Sequence, residues 1–232
     1  MYSEKFQKFI EMWQKDFAIE RTIDEKICVD RDGKPLPWYT YPAIEYLSQF
    51  DYTQKKVFEF GCGNSSLFWA ERAASVTSIE DNPKWFEKWQ QEFHHPRLDV
   101  RWRDEGEIYE KAIFEDGLKY DVIVVDGKRR AECAAAATKA LAAGGVIILD
   151  DSDRINTSQE YVKAAGCLQE AGLIQVDFYG FCPMNCYTKT TSLFLSRDFN
   201  FKSAYPVQPI NGISNLWSMQ RKARKEFYKN NG

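Results

Sequence analysis

The chain has 232 residues, of which 44% are hydrophobic and 15% aromatic, so it is long and apolar enough to bury a full core in one α/β domain. Its net charge of −3 argues against a general nucleic-acid binder, because neutralising phosphates requires a basic surface. The N-terminal residues are too charged for a signal peptide, and no segment approaches the roughly 18 apolar residues of a membrane span. A cytoplasmic protein without membrane contact is expected, in which the six cysteines are free thiols.

The first segment carries an aromatic face at helical spacing, which predicts an amphipathic helix over residues 3–18. This face consists of Phe6, Phe9, Ile10, Trp13 and Phe17. Two interpretations stay open, packing on the domain itself and contact in a homo-oligomer. A turn over residues 30–37 then leads to Tyr39 and Tyr41, which either pack in the core or form the wall of the cofactor or substrate pocket.

Residues 56–81 have the pattern of a strand, a glycine turn, a helix and a second strand. Gly61 and Gly63 stand where the backbone must turn sharply after a buried strand. The second strand ends in Glu80, about 20 residues after the glycines, the spacing at which an acid accepts hydrogen bonds from ribose hydroxyls. The helix between them can be capped by Asn64, Ser65 or Ser66, and its first N–H groups favour a carboxylate, a phosphate or a ribose edge.

Two residues of this segment restrict which class of ligand it can bind. Ser66 stands where a third glycine would admit a pyrophosphate, so binding of a pyrophosphate group is disfavoured. Glu59, at the end of the first strand, repels phosphate and suits a cation such as an amino group or a sulfonium.

At these residues the chain resembles the class I S-adenosylmethionine-dependent methyltransferases. The resemblance rests on E-F-G-C-G at residues 59–63, on I-E-D at residues 79–81 and on two later strands that end in acids, and it covers roughly residues 55–195. It implies a Rossmann-like α/β fold, with helices on both faces of a seven-stranded, mostly parallel sheet that ends in an antiparallel strand. S-adenosylmethionine is the implied cofactor, with Glu59, Gly61 and Gly63 around its methionine moiety, Glu80 on the ribose and Asp104 on the adenine amino group. The full set expected at the cofactor is Glu59, Gly61, Cys62, Gly63, Asn64, Ser65, Glu80, Asp81, Asp104, Glu105 and Asp126.

Further strands are predicted over residues 98–102, 119–127 and 146–149, each with acidic residues at or directly after its end. The helix between the last two is expected over residues 129–143. Because crossovers in parallel sheets keep one hand, the acids should meet at one edge. Clustered carboxylates raise one another's pKa values unless a cation lies among them, so this edge calls for positive charge.

The sulfonium supplies part of that charge, and a divalent cation such as Mg²⁺ is a candidate for the rest. Asp126, Asp150 and Asp151 match in position the metal ligands of catechol- and sugar-type O-methyltransferases. The chain departs from that pattern after Asp126, where G-K-R-R follows. Asp150 and Asp151 therefore either bind a metal or cap the next loop, and Asp151 is also a substrate-site candidate.

Lys128 is the other catalytic candidate beside Asp126. It is expected to stabilise an oxyanion or to help deprotonate an acceptor hydroxyl. The neighbouring Arg129 and Arg130 are expected to form a solvated helix start.

Strand-like runs at residues 174–181 and 191–195 predict a terminal hairpin, whose loop borders an acceptor pocket with Met184, Asn185 and Tyr187. The expected organisation is one domain, with an N-terminal helical extension (1–54), the sheet core (55–198) and a C-terminal extension (199–232) that includes Tyr205, Trp217 and Phe227. The predicted function is methyl transfer from S-adenosylmethionine to a small-molecule acceptor, at oxygen. The alternatives are a non-catalytic S-adenosylmethionine-binding regulatory or scaffold protein and a nicotinamide-dependent dehydrogenase.

Overall fold

The computed structural model describes residues 2–104, 106–210 and 212–214 and contains one seven-stranded sheet. The strands are β1 (Lys56–Phe60), β2 (Ser75–Glu80), β3 (Leu98–Trp102), β4 (Tyr120–Val125), β5 (Leu141–Leu149), β6 (Ile174–Phe181) and β7 (Thr188–Leu195). Their order is β3-β2-β1-β4-β5-β7-β6, and β7 runs antiparallel to both of its neighbours. The predicted mostly parallel sheet with a terminal antiparallel strand is thereby confirmed.

Helices cover both faces of this sheet. They are α1 (Glu4–Lys15), α2 (Ile19–Asp24), α3 (Tyr41–Leu47), α4 (Asn64–Ala70), α5 (Pro83–Glu92), α6 (Glu107–Lys111), α7 (Arg130–Ala140) and α8 (Gln159–Glu170). Short 3₁₀ turns follow α6 at Ala112–Phe114 and β5 at Ser152–Asn156. No helix in the described parts of the chain combines the length and the apolar character needed to span a membrane.

Alternation along the central strands produces two cores. Val57, Val122 and Val124 point to the face covered by α3 and α4, whereas Phe58 and Ile123 point to the face covered by α7 and α8. Both faces are buried because parallel strands are connected by helices that cross over the sheet, which is why these strands are continuously apolar.

Two strands begin earlier than the sequence predicts. Helix α7 ends at Ala140, and β5 already begins at Leu141, because Gly144 adopts a φ of 71° and the β4–β5 register shifts between Tyr120 and Val122. Strand β7 begins at Thr188 and not at Thr191, since residues 188–190 pair with the end of β6. The second difference places Lys189 on the sheet, where the sequence had suggested a loop.

The N-terminal helix packs on the domain at one end. Trp13 contacts Phe17 and the ring of Phe181, at centroid distances of 4.6 and 5.1 Å. Phe6 and Phe9 are 43% and 50% exposed, so packing on the domain accounts for only part of this face.

The C-terminal segment follows the sheet as far as the structure describes it. Phe201 packs in the core, and Asp51 N donates to Lys202 O at 2.8 Å. Tyr205 is 49% exposed. Trp217 and Phe227, which the sequence assigned to a packing extension, lie outside the described residues.

Candidate active site

A cleft of about 610 Å³ lies at the carboxyl ends of β1, β2, β4 and β5. Residues 26–28 and Trp38 of the N-terminal segment line its outer wall, together with Met184, Asn185 and Tyr187 of the β6–β7 loop. These two segments are tied together, because Met184 N donates to Thr22 Oγ1 at 3.1 Å. The cleft is therefore built from the sheet edge below and from chain segments distant in sequence above.

The floor of the cleft is the turn after β1. Gly61 has a φ of 100°, and a Cβ at this position would lie 3.3 Å from Asp126 O, so both the conformation and the close approach to β4 favour glycine. Gly63 is extended and does not require glycine by its conformation. Asn64 Nδ2 donates to Cys28 O at 2.7 Å, which joins the turn to the outer wall.

Glu59 is buried beneath this turn and is only 1% exposed. Its Oε2 accepts a hydrogen bond from Ser78 Oγ at 2.8 Å, while Oε1 has no hydrogen-bond partner among the described residues. Burial raises the pKa of Glu59 to about 7. An unpartnered buried carboxylate oxygen that lines a cleft is suited to receive a cationic or hydrogen-bond-donating ligand.

Glu80 lies at the end of β2 and holds the turn from the other side. Its Oε2 accepts from Cys62 N at 3.2 Å and its Oε1 accepts from Asn82 N at 2.9 Å. Each oxygen keeps a second lone pair for a ligand. The observed contacts with backbone N–H groups and the predicted contact with a ligand are thus compatible roles for the same carboxylate.

Trp85 extends the wall next to Glu80. The sequence predicts it in a mostly buried stripe with Phe86, Trp89 and Phe93, but of these four only Trp89 is fully buried. Trp85 is 39% exposed, lines the cleft and donates from Nε1 to Cys62 O at 2.9 Å. Its indole is therefore held against the glycine turn, with part of the ring facing the cleft.

The second half of the cleft contains three carboxylates at the ends of β4 and β5. Asp126, Asp150 and Asp151 each offer a carboxylate oxygen, and these oxygens lie within 4.8 Å of one another. Such a cluster requires compensation, and the protein itself supplies it through Lys189, Arg130 and Arg154.

Lys189 bridges two of the acids from β7. Its Nζ donates to Asp150 Oδ2, and to Asp151 Oδ1 at 2.8 Å. Burial alone would lower the pKa of Lys189, but Asp150, Asp126 and Asp151 together raise it above its ordinary value. The side chain is therefore an ammonium at neutral pH, and it is only 6% exposed.

Arginines pair with one further oxygen each of Asp126 and Asp151. Arg130 Nη2 lies 2.9 Å from Asp126 Oδ1, and Arg154 Nη2 lies 2.9 Å from Asp151 Oδ2. Arg130 also donates from Nη1 to Asp150 O at 2.6 Å, so it ties the ends of β4 and β5 together. Arg130 is 8% exposed, which corrects the expectation that it is solvated.

The two groups considered from sequence fit this site differently. S-adenosylmethionine fits, because Glu59 Oε1 is an unpartnered buried acceptor and each oxygen of Glu80, which also lines the cleft, accepts only one hydrogen bond from the backbone. A divalent metal does not fit the acidic cluster, because Lys189, Arg130 and Arg154 already bind its oxygens.

Comparison with solved structures places the sheet in a known fold. No protein-family model and no curated protein matches the chain. A spermidine synthase from Thermotoga maritima superposes with a TM-score of 0.51 at 16% identity, over 77% of this chain and 69% of that chain. An O-methyltransferase from Bacillus cereus in complex with SAH gives 0.51 at 14% identity, over 68% and 78% of the two chains. The precorrin-6y C5,15-methyltransferase of Geobacter metallireducens GS-15 gives 0.50 at 13% identity, over 75% and 95%.

The fold is that of the class I methyltransferases. At these identities the likeness concerns the fold, so roles of single residues rest on the geometry of this chain.

Most predicted site residues of this class I methyltransferase fold do line the cleft. These are Glu59, Gly61, Cys62, Gly63, Asn64, Ser65, Glu80, Asp81, Asp126, Lys128, Asp150 and Asp151. Lys128, however, forms an ion pair with Asp81 at 3.1 Å and so stands on the cofactor side of the cleft.

Other predictions are corrected. Asp104 is exposed and does not line the cleft, because the chain leaves the sheet edge after β3. Tyr39, which precedes α3, and Tyr41, its first residue, are buried in the core and do not line the cleft either. Glu105 lies outside the described residues.

Sequence reasoning missed Lys189, Trp38 and Trp85. Trp38 immediately precedes Tyr39 and points the opposite way, into the cleft, where it is 43% exposed. The sequence did contain an indirect signal for Lys189. It predicted an excess of acids at one edge of the sheet, and that excess required a cation whose position the sequence alone could not give.

Proposed function

We propose that this protein is an S-adenosylmethionine-dependent methyltransferase that acts on a small-molecule acceptor at oxygen. The observation that carries the proposal is the unpartnered Glu59 Oε1, buried beneath the Gly61 turn in a cleft of the class I methyltransferase fold. A carboxylate whose pKa is near 7 gains most from a ligand that brings a positive charge. The amino group and the sulfonium of S-adenosylmethionine supply such charge.

Glu80 and Trp85 form the nucleoside end of the proposed site. The remaining lone pairs of the Glu80 carboxylate accept from ribose hydroxyls. The exposed face of Trp85 offers an apolar aromatic surface for the purine ring, a role that Asp104 was expected to share from the end of β3.

The acceptor end is formed by Asp126, Asp151 and Lys189, with Trp38 and Tyr187 above them. The bound cofactor supplies an electrophilic methyl group on sulfur. The protein's contribution is mainly to hold the acceptor oxygen in line with that methyl group. In such a transfer the acceptor oxygen would replace sulfur on the methyl carbon, and sulfur would keep the electron pair of the broken bond. Asp126 Oδ2 is the proposed acceptor of the hydroxyl proton, because its Oδ1 is the oxygen that pairs with Arg130.

Calorimetry with S-adenosylmethionine and with nicotinamide dinucleotides tests the cofactor. We expect S-adenosylmethionine to bind, and Glu59→Gln to weaken it by about 10–100-fold, since it removes a charge-assisted contact. Glu87→Gln, at an exposed position of α5, is the matched control and should bind as the wild type does. Binding of a dinucleotide alone would overturn the proposal in favour of a dehydrogenase.

A panel of small molecules with S-adenosylmethionine carrying a labelled methyl group tests the acceptor. Alcohols, phenols and carboxylic acids are compared with amines. Label transfer to an oxygen compound supports the proposal, while transfer to amines alone contradicts the assignment to oxygen. Cofactor binding without transfer across the whole panel would identify the non-catalytic alternative.

A further inference from the structure

The acidic cluster at the ends of β4 and β5 contains its own cation. Lys189 Nζ donates to Asp150 and Asp151, which follow the end of β5 directly, and Lys189 itself lies on β7, the strand that pairs with β5. Asp150 is 1% exposed and also accepts from Thr191 Oγ1 at 2.6 Å. The ammonium is therefore held by the sheet and not by a surface loop.

The position of this ammonium is the one a metal ion would need. A divalent ion at the cluster has to bind oxygens of Asp126, Asp150 and Asp151, which lie within 4.8 Å of one another. Lys189 already hydrogen-bonds two of these three carboxylates, and Arg130 binds the third. A metal ion could enter only by displacing the ammonium from the carboxylates. The metal cation and the ammonium, two like charges, would then lie close together in a buried space.

The ammonium also faces the cleft. Lys189 lines it, and its Nζ lies 5.5 Å from the ring centroid of Trp38. An ammonium has three N–H donors, of which Asp150 and Asp151 take two. The third has no hydrogen-bond partner within the part of the chain that the structure describes.

We propose that the Lys189 ammonium takes the place of a divalent metal ion in the Asp126–Asp150–Asp151 cluster, so that the acceptor end of the cleft works with a covalently fixed cation. Its role toward an acceptor rests on the proposed methyl transfer, whereas the exclusion of a metal ion does not. The third N–H of the ammonium can donate to a hydroxyl or carboxylate oxygen, whereas a protonated amine has no lone pair to accept it, which favours oxygen acceptors.

Manganese binding to the cofactor-free protein, followed by electron paramagnetic resonance of the unbound Mn²⁺, tests this inference. We expect no saturable binding to the wild-type protein. Lys189→Met removes the ammonium and leaves the three carboxylates, so it should bind Mn²⁺ at least about tenfold more tightly. Asp150→Asn combined with Lys189→Met should lose that gain. Lys163→Met, on the exposed face of α8, is the matched control and should behave as the wild type does.

Two outcomes overturn the inference. One is Mn²⁺ binding to the wild-type protein that Asp150→Asn abolishes, and the other is a folded Lys189→Met variant that binds no more Mn²⁺ than the wild type. Circular dichroism establishes the fold of each variant. If Lys189→Met does not fold, the wild-type titration decides alone, and Lys189→Arg provides a folded variant that keeps a cation and should bind no Mn²⁺.

The manganese titration requires neither cofactor nor acceptor. Failure of the proposed methyl transfer would show instead in calorimetry with S-adenosylmethionine, so the two failures are distinguishable. Where the acceptor panel yields turnover, exhaustive chelation should leave it unchanged. Turnover that is lost on chelation and regained with Mg²⁺ would contradict the inference.

Discussion

The two halves of the cleft differ in whether their carboxylates form ion pairs with lysine or arginine. At the ends of β1 and β2, Glu59 and Glu80 are buried, and no ion pair to either is found among the described residues. At the ends of β4 and β5, Asp126, Asp150 and Asp151 are each paired with a lysine or an arginine. The first half is therefore prepared for a positive ligand, whereas the second has already been neutralised by the protein.

This difference explains why a single sheet edge rich in acids can have two functions. Buried charges without partners are costly and persist where a ligand compensates them. Buried charges with internal partners hold the structure together, and removing one partner leaves the other uncompensated. Variants on either side should therefore differ in whether stability or ligand affinity changes.

The largest effect is expected for Lys189→Met on stability. The substitution leaves Asp150 buried without its cation, and we expect a loss of about 3–5 kcal/mol in the free energy of unfolding. Urea denaturation measures it, and the exposed Lys163→Met control should change stability by less than about 0.5 kcal/mol. Asp150→Asn in the same chain should recover part of the loss. A urea midpoint equal to that of the wild type would show that Lys189 does not compensate the buried charge of Asp150.

Glu59→Gln should change stability in the opposite direction. Burial raises the pKa of Glu59 from 4.5 to about 7, so between these values the native state holds a proton that the unfolded chain has released. Stability from this group is complete below about pH 4.5 and is lost as the pH rises through 7. The variant should therefore be more stable than the wild type at about pH 8, by about 3 kcal/mol at most, and nearly equal to it at low pH. Parallel pH profiles of the two proteins in urea denaturation would refute this.

Glu80→Ala tests the other unpaired carboxylate. It removes a hydrogen-bonding charge worth about 1.5–3 kcal/mol, so the affinity for S-adenosylmethionine should fall by about 10–100-fold. Calorimetry measures the affinity, with Glu87→Ala as the surface control. An unchanged affinity in a variant of normal thermal stability would show that Glu80 acts only on the backbone N–H groups of Cys62 and Asn82.

Trp85→Phe should have the smallest effect. It keeps an aromatic ring but removes the hydrogen bond from Nε1 to Cys62 O, which is worth about 0.5–1.5 kcal/mol. The affinity for S-adenosylmethionine should fall by less than about tenfold, and more in Trp85→Ala, which also removes the ring. Equal affinities for Phe and Ala variants would show that the ring does not contact the cofactor.

Local pattern was sufficient for the cofactor half. The apolar strand, the glycines at 61 and 63 and the acid at Glu80 lie within one βαβ unit, where strand alternation and crossover handedness fix which residues meet. Gly61 was identified by its position in the turn, and the structure gives the reason as a positive φ next to the backbone of Asp126. Glu59 was predicted at the strand end, and the structure adds that one of its oxygens has no partner.

In short irregular segments, the sequence did not predict which side chains face the cleft and which face the core. Trp38, Tyr39 and Tyr41 are adjacent aromatic residues before a helix, and their sequence holds no periodicity that assigns one of them to the cleft. The contacts of Thr40 with β6 and β7 fix the orientation, because its backbone N donates to Thr191 Oγ1 and its hydroxyl donates to Phe178 O. The prediction that Trp85 is buried was wrong for a similar reason. An apolar stripe at helical spacing does not show which of its ends faces the core and which faces a cleft.

The sequence by itself determined the single strands, the glycine turn and the acid at each strand end, because each of these depends on residues within about 30 positions of one another. Only the tertiary structure decided what neutralises those acids. Lys189 is 39 residues from Asp150 along the chain, and it reaches the cluster because β7 inserts between β5 and β6 and pairs with Gly180 at that position. An ion pair between distant strands depends on strand order and register, and these are set by the packing of the whole sheet.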